Sequence, residues 1–112
     1  MKENVIQTKS FEFAKKVIVF SRKQKWRDPV IVQLLRSATS VGANIEEAIG
    51  AISRKEFIMK ATIAYKEARE SLYWLRLLAE TQKEDGAIIN TLKSEATEIV
   101  KILNAILKTS KS

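Results

Sequence analysis

Four carboxylates, Glu46, Glu47, Glu67 and Glu70, are the residues whose type and spacing come closest to acid–base or metal chemistry. Glu46 and Glu47 are adjacent, and Glu67 and Glu70 stand one helical turn apart. Di-metal sites in helix bundles take glutamates from facing helices, but they normally add a Glu-x-x-His motif, and this sequence has no histidine. An all-carboxylate site would favour magnesium, calcium or manganese. The competing reading, which we prefer, is that these glutamates pair with Lys60, Lys66 or Arg69, or cap neighbouring groups. There is no cysteine, hence no thiol chemistry and no disulfide framework. Serines without histidine form no recognisable nucleophile system, and no glycine-rich phosphate loop occurs. The expectation is a protein that is not an enzyme, with no catalytic residue, no metal site and no cofactor.

A second group of residues points to binding. Lys15, Lys16, Arg22, Lys23, Lys25 and Arg27 cluster in the first quarter of the chain, and Arg36 follows one helix later. The formal net charge is +7, and its placement is uneven. Residues 1–45 carry nine lysines and arginines against three acidic residues, whereas residues 46–112 carry eleven against ten. Such a cluster is either a solvated face that keeps a small protein soluble or a footprint for nucleic-acid phosphates, whose counterions it would release. Trp26, inside the cluster, can stack on a base or anchor the end of a helix. A membrane-surface role is the weaker reading, because the apolar face of the same segment is needed for the core. No stretch reaches the length of a membrane span and the amino terminus has no signal-peptide core, so no membrane partner and a cytoplasmic location are expected.

The elements that must position these residues are helices. The stretch Ser37–Ala51 has a helical pattern, yet six of its first seven residues are small. Serine, threonine and glycine are mediocre or poor helix formers, so close approach of another helix has to offset their propensity. Ala38, Val41, Ile45 and Ala48 form an apolar stripe, with Ser40, Asn44 and Glu47 beside it. Ser40, Gly42, Ala43 and Asn44 are therefore assigned to packing and helix register. An amide on the close-packed face of a bundle, such as Asn44, needs a partner, with Ser40, Glu47 or a group on the third helix as candidates, and a ligand site is the rival reading.

Around that stretch the periodicity gives four helices, at about 8–25, 29–49, 54–82 and 86–108. Phe11, Ala14, Val17 and Ile18 are the expected core stripe of the first, while Phe13, Val19 and Phe20 widen its apolar surface. Asp28-Pro29 signals the start of the second helix, Gly50 stands where a left-handed residue often ends one, and Ser53 to Glu56 fits a capping box. Alanines and leucines from Phe57 to Ala79 form the seam of the third, and Ile89, Leu92, Ala96, Ile99, Leu103 and Ile106 face inward on the fourth. The predicted fold is all-α: one domain over residues 1–112, an antiparallel up-down-up-down four-helix bundle. Within Ser71–Ala79 only Ser71 and Arg76 are plainly polar, so this half-helix needs burial on more than one side. Tyr73, Trp74 and Leu77 are accordingly assigned to an interface between copies of the chain, with core packing as the rival for Trp74.

SATSVGANIEEA, followed by FIMKATIAYKEARESLYWLRLL from Phe57 to Leu78, resembles the bacterial four-helix-bundle family of 23S rRNA intervening-sequence proteins. That family also includes the accessory protein of diversity-generating retroelements. The resemblance covers nearly the whole chain and is strongest from Leu34 to Leu78. It implies a homo-oligomer in the form of a pentameric ring, with RNA, DNA or a reverse transcriptase as partner. A structural scaffold without nucleic-acid affinity is the alternative, and a carboxylate metalloenzyme comes third.

Overall fold

The computed structural model describes residues 4–25 and 27–111. Trp26, read above as a stacking or anchoring residue, lies outside the described residues. Four helices follow in order: α1 (Val5–Arg22), α2 (Pro29–Ile49), α3 (Arg54–Thr81) and α4 (Gly86–Lys111). Each of the first three begins on a side chain that accepts a free backbone N–H. Asn4 accepts from Gln7, Asp28 from Val30 and Ile31, and Ser53 from Glu56. Glu56 reaches back to the amide of Ile52, one residue before the position an ideal capping box would satisfy.

Three local expectations need correction. The first helix starts earlier and ends earlier than 8–25, because Asn4 supplies the cap and the chain leaves the helix at Lys23. Gly50 closes α2 at φ −84°, outside the left-handed region, with its amide on the Glu46 carbonyl. The larger difference concerns the buried face of α1. Phe11 is 63% exposed, and the buried stripe is Ile6, Ser10, Phe13, Val17 and Phe20. Two apolar stripes compete on this helix, and the winning one passes through Ser10. A Cβ on Gly42 would lie 3.6 Å from the Ser10 carbonyl oxygen, so the two helices meet there backbone to backbone. Two small residues permit that approach, and a phenylalanine would block it.

Each helix packs against two neighbours: α1 on α2 and α4, α3 on α2 and α4, with no contact across either diagonal among the described residues. Pairs along each seam run in opposite directions, Gln7 with Glu46 and Ser10 beside Gly42, then Arg36 with Glu67 and Glu47 with Lys60. The bundle is therefore antiparallel throughout. Its core runs the length of the bundle, from Phe20, Ile31, Leu78 and Ile89 at one end to Ile6, Ile45 and Leu103 at the other, where a smaller cluster of Ala48, Ala61 and Leu107 joins it. In mid-bundle the Ser37 and Ser71 hydroxyls lie 2.8 Å apart, both fully buried. One donates to the other, and the remaining hydrogen turns to a carbonyl of its own helix, Leu34 or Glu67. A buried polar pair of this kind fixes the register of α2 on α3.

Candidate nucleic-acid interface

The basic cluster divides when the chain folds. Arg22, Lys23, Lys25 and Arg27 are exposed around the end of α1 and the connection to α2. Arg22, Lys23 and Lys25 enter no ion pair among the described residues. The backbone of Arg27 takes the left-handed conformation (φ 59°), which turns the connection toward the Asp28 cap. A polar cleft of about 430 Å³ opens beneath it, lined by Lys23, Lys25, Asp28, Gln82, Glu84 and Asp85. Gln24 and Gln82 close the cleft by hydrogen-bonding each other and the Asp85 carboxylate.

The rest of the cluster is neutralised. Lys15 pairs with Glu12 on its own helix at 3.1 Å, and Lys16 reaches Glu95 on α4 at 2.6 Å. Glu95 hydrogen-bonds the Lys16 ammonium and faces it with a full charge, which raises the lysine pKa above its usual value. Lys9, not part of the predicted cluster, binds Glu98 in the same seam. Arg36 is held by two carboxylates of α3. Its Nη1 donates to Glu67 Oε2 at 3.1 Å, and its Nη2 donates to Glu67 and Glu70. Those hydrogen bonds, Glu67 first and Glu70 second, raise the guanidinium pKa further. Arg36 thus belongs to the α2–α3 seam, whatever else reaches it.

The same network accounts for the small-residue stretch and for two of the four glutamates. Asn44 donates to the Ser40 carbonyl at 2.9 Å and to the Ser40 hydroxyl at 3.1 Å, and Ser40 donates to Glu67 at 3.3 Å. Glu70 accepts from the Trp74 indole at 3.1 Å. A polar chain therefore runs from Asn44 through Ser40, Glu67, Arg36 and Glu70 to Trp74 along one seam. Both carboxylate oxygens of Glu46 accept from the Gln7 amide nitrogen, at 3.1 and 2.9 Å, and Glu47 pairs with Lys60 at 3.6 Å. Among the described residues, no three histidine, cysteine or acidic side chains converge as a metal site would require. Gly42 is half-buried against Ser10, whereas Ala43 faces outward and is exposed. Tyr73 is exposed with its edge against Trp74, 5.1 Å between ring centres, and Trp74 and Leu77 are half-buried.

Sequence reasoning missed the second consequence of these pairings. Carboxylates of α3 and α4 are taken up by cations of α1 and α2, so the near-neutral second half of the chain is left with cations of its own. Lys66, Arg69 and Arg76 are exposed along α3 and form no ion pair among the described residues. The spacing of Lys66, Arg69, Tyr73 and Arg76, one turn apart on a helix, was the available signal.

The profile of the 23S rRNA-intervening sequence protein family matches residues 2–105. The chain belongs to this family. It is also similar to a crystal structure from Bacteroides thetaiotaomicron, described as a protein of unknown function from the S23 ribosomal protein family. The two share 40% identity and a TM-score of 0.86 over 93% of this chain and 99% of that one. No functionally curated protein matches the sequence. No helix among the described residues is long and apolar enough to cross a membrane.

Proposed function

We propose that this chain is a non-enzymatic cytoplasmic bundle protein that assembles with copies of itself and binds nucleic acid through the basic end of the bundle. Its partner is RNA or DNA, or a protein acting on them such as a reverse transcriptase. The observation that carries the reading is the set of Arg22, Lys23 and Lys25, exposed around one connection and in no ion pair among the described residues. Cations not held in an ion pair are available to phosphates. The family's description by an rRNA intervening sequence agrees with an RNA setting. In a ring of copies each subunit would present the same patch, and repetition would turn weak contacts into useful affinity.

The test is a salt titration of RNA binding by the wild type and by a variant with Arg22, Lys23, Lys25 and Arg27 replaced by glutamine. Each phosphate contact contributes roughly 0.7–0.9 to the slope of log affinity against log salt, so the variant should show a shallower line. Helicity and assembly size should stay unchanged, since all four residues are exposed. Absence of binding by the wild type at low salt would remove the reading. The scaffold alternative gains support from one observation, the neutralisation of Lys16 and Arg36 by carboxylates of the same chain. Equal slopes for the two proteins would favour it.

A further inference from the structure

We infer that the outer face of α1, with the groove between α1 and α4, docks an amphipathic helix of a partner protein, apolar along one stripe and acidic at its edges. Helix α1 has two apolar faces, and the bundle uses only one. The unused face carries Phe11, Lys15, Val19 and Arg22 at one-turn spacing. Phe11 is 63% exposed and Val19 49%. Lone exposed apolar residues are ordinary, but Val19 lines a groove of about 350 Å³, and Phe11 stands two turns before it on the same stripe. Its floor is Val19, Phe20 and Ile88, and Lys15, Lys16 and Lys23 line its edge.

The charge of this face decides the occupant. Helix α1 contains one acidic residue, Glu12, and it is already paired with Lys15. Asp85, the single acid lining the groove, is held at one end by Gln24 and Gln82. An occupant therefore needs negative groups for Arg22 and Lys23 and apolar groups for Phe11, Val19 and the floor. A second copy of this chain fits poorly with α1 against α1, where like charges repel. Its mid-bundle carboxylates Glu67, Glu70, Glu95 and Glu98 are bound internally. Glu80 and Glu84, around the end of α3, are the acids it could still offer, which the assembly mass tests. A phosphate backbone would satisfy the cations and leave the floor against charge. A helix with leucine-like residues at one-turn spacing and flanking carboxylates satisfies both sets, as helix-in-groove recognition does elsewhere. The inference shares Arg22 and Lys23 with the nucleic-acid reading and goes beyond it through the apolar residues Phe11, Val19 and Ile88, which a phosphate backbone does not use.

Two fluorescent synthetic helices test it. They share a leucine stripe and differ only in flanking glutamates or flanking lysines, and binding is read by anisotropy. The glutamate helix should bind and the lysine helix should not. The double variant Phe11→Ser/Val19→Ser should fold like the wild type, since both residues are exposed, yet weaken the glutamate helix by about tenfold or more. Arg22→Gln/Lys23→Gln should weaken it while leaving the apolar contact in place. Failure of both peptides, or equal binding by the Phe11/Val19 variant, overturns the inference. A changed assembly mass in that variant would instead make the face a contact between copies. Loss of phosphatidylglycerol vesicles or of single-stranded RNA, with the glutamate helix unbound, would assign it to a lipid surface or to nucleic acid and also overturn the inference. The Phe11→Ser/Val19→Ser variant keeps Arg22, Lys23, Lys25 and Arg27, so unchanged RNA binding beside lost peptide binding separates the two readings.

Discussion

Replacing Gly42 by alanine would put a methyl group 3.6 Å from the Ser10 carbonyl oxygen, an ordinary contact that the α1–α2 seam can hold. A leucine at the same position has no such room, and overpacking should cost about 1–3 kcal/mol of stability. Denaturant melts of Gly42→Ala and Gly42→Leu should therefore separate, with the alanine variant close to wild type. Ser71→Ala is the complementary case. It leaves the buried Ser37 hydroxyl only the Leu34 carbonyl, and losing one internal hydrogen bond should cost roughly 1 kcal/mol. Lys16 gives a test by pH. Its pKa is raised by Glu95, so folding favours the charged lysine. That contribution is fully present below the unfolded value of 10.5 and is lost as pH rises through the higher folded value. The stability difference between wild type and Lys16→Gln should be flat from neutral pH up to about pH 10 and shrink above it. With 43% of the side chain exposed the difference will be small, and a difference that grows with pH would contradict the pairing.

At the scale of the helix, caps and periodicity were readable while the buried face of α1 was not. Asp28, Pro29 and Ser53 are types that act through local backbone geometry, so their roles followed from identity alone. The expected core residues of α2, α3 and α4 are buried except Leu35, Phe57, Leu72, Ala79 and Ile106, which pack half-buried against the core. On the apolar half of α3 the buried stripe passes through Ser71 and Leu78 instead. Helix α1 offers two faces, and hydropathy ranks the one with Phe11 as highly as the one with Ser10. What chose between them is the close approach at Gly42, a fact of tertiary packing. Burial of Ser10 is tolerated because its hydroxyl turns to the Gln7 carbonyl at 3.1 Å. The cation site was legible only in part for a similar reason. Lysines and arginines show in a sequence, but the carboxylates that neutralise Lys16 and Arg36 lie 79 and 31 residues away. Asn4→Ala tests the early start of α1. Loss of this cap should cost about 1 kcal/mol and reduce helicity only at the first turn, read by amide hydrogen exchange.

For the whole molecule, assembly turns on which surface remains after the four helices have packed. The apolar half of α3 meets two helices, α2 and α4, which bury Ser71, Leu75 and Leu78 and half-bury Leu72, Trp74 and Leu77. Trp74 is tied to Glu70 inside the α2–α3 network, so it serves a fold role whether or not a second copy arrives. Tyr73 is different. It is 49% exposed and touches Trp74 only by its edge, and Ala43 on α2 is exposed as well. These two residues separate folding from assembly. A bulky or polar change at either should leave the single bundle intact, because neither fills its core. If copies meet through this side of α3, Tyr73→Ser will lower the mass seen by light scattering while the far-ultraviolet spectrum stays the same. Ala43→Leu applies the same test on α2. The wild type is expected at a multiple of 12.7 kDa, five copies if the pentameric ring implied by the family resemblance forms. A wild-type mass of one chain at micromolar concentration would exclude the assembly. A full-sized Tyr73→Ser assembly would place the contact on another face, and the exposed stripe of α1 would be the next to test.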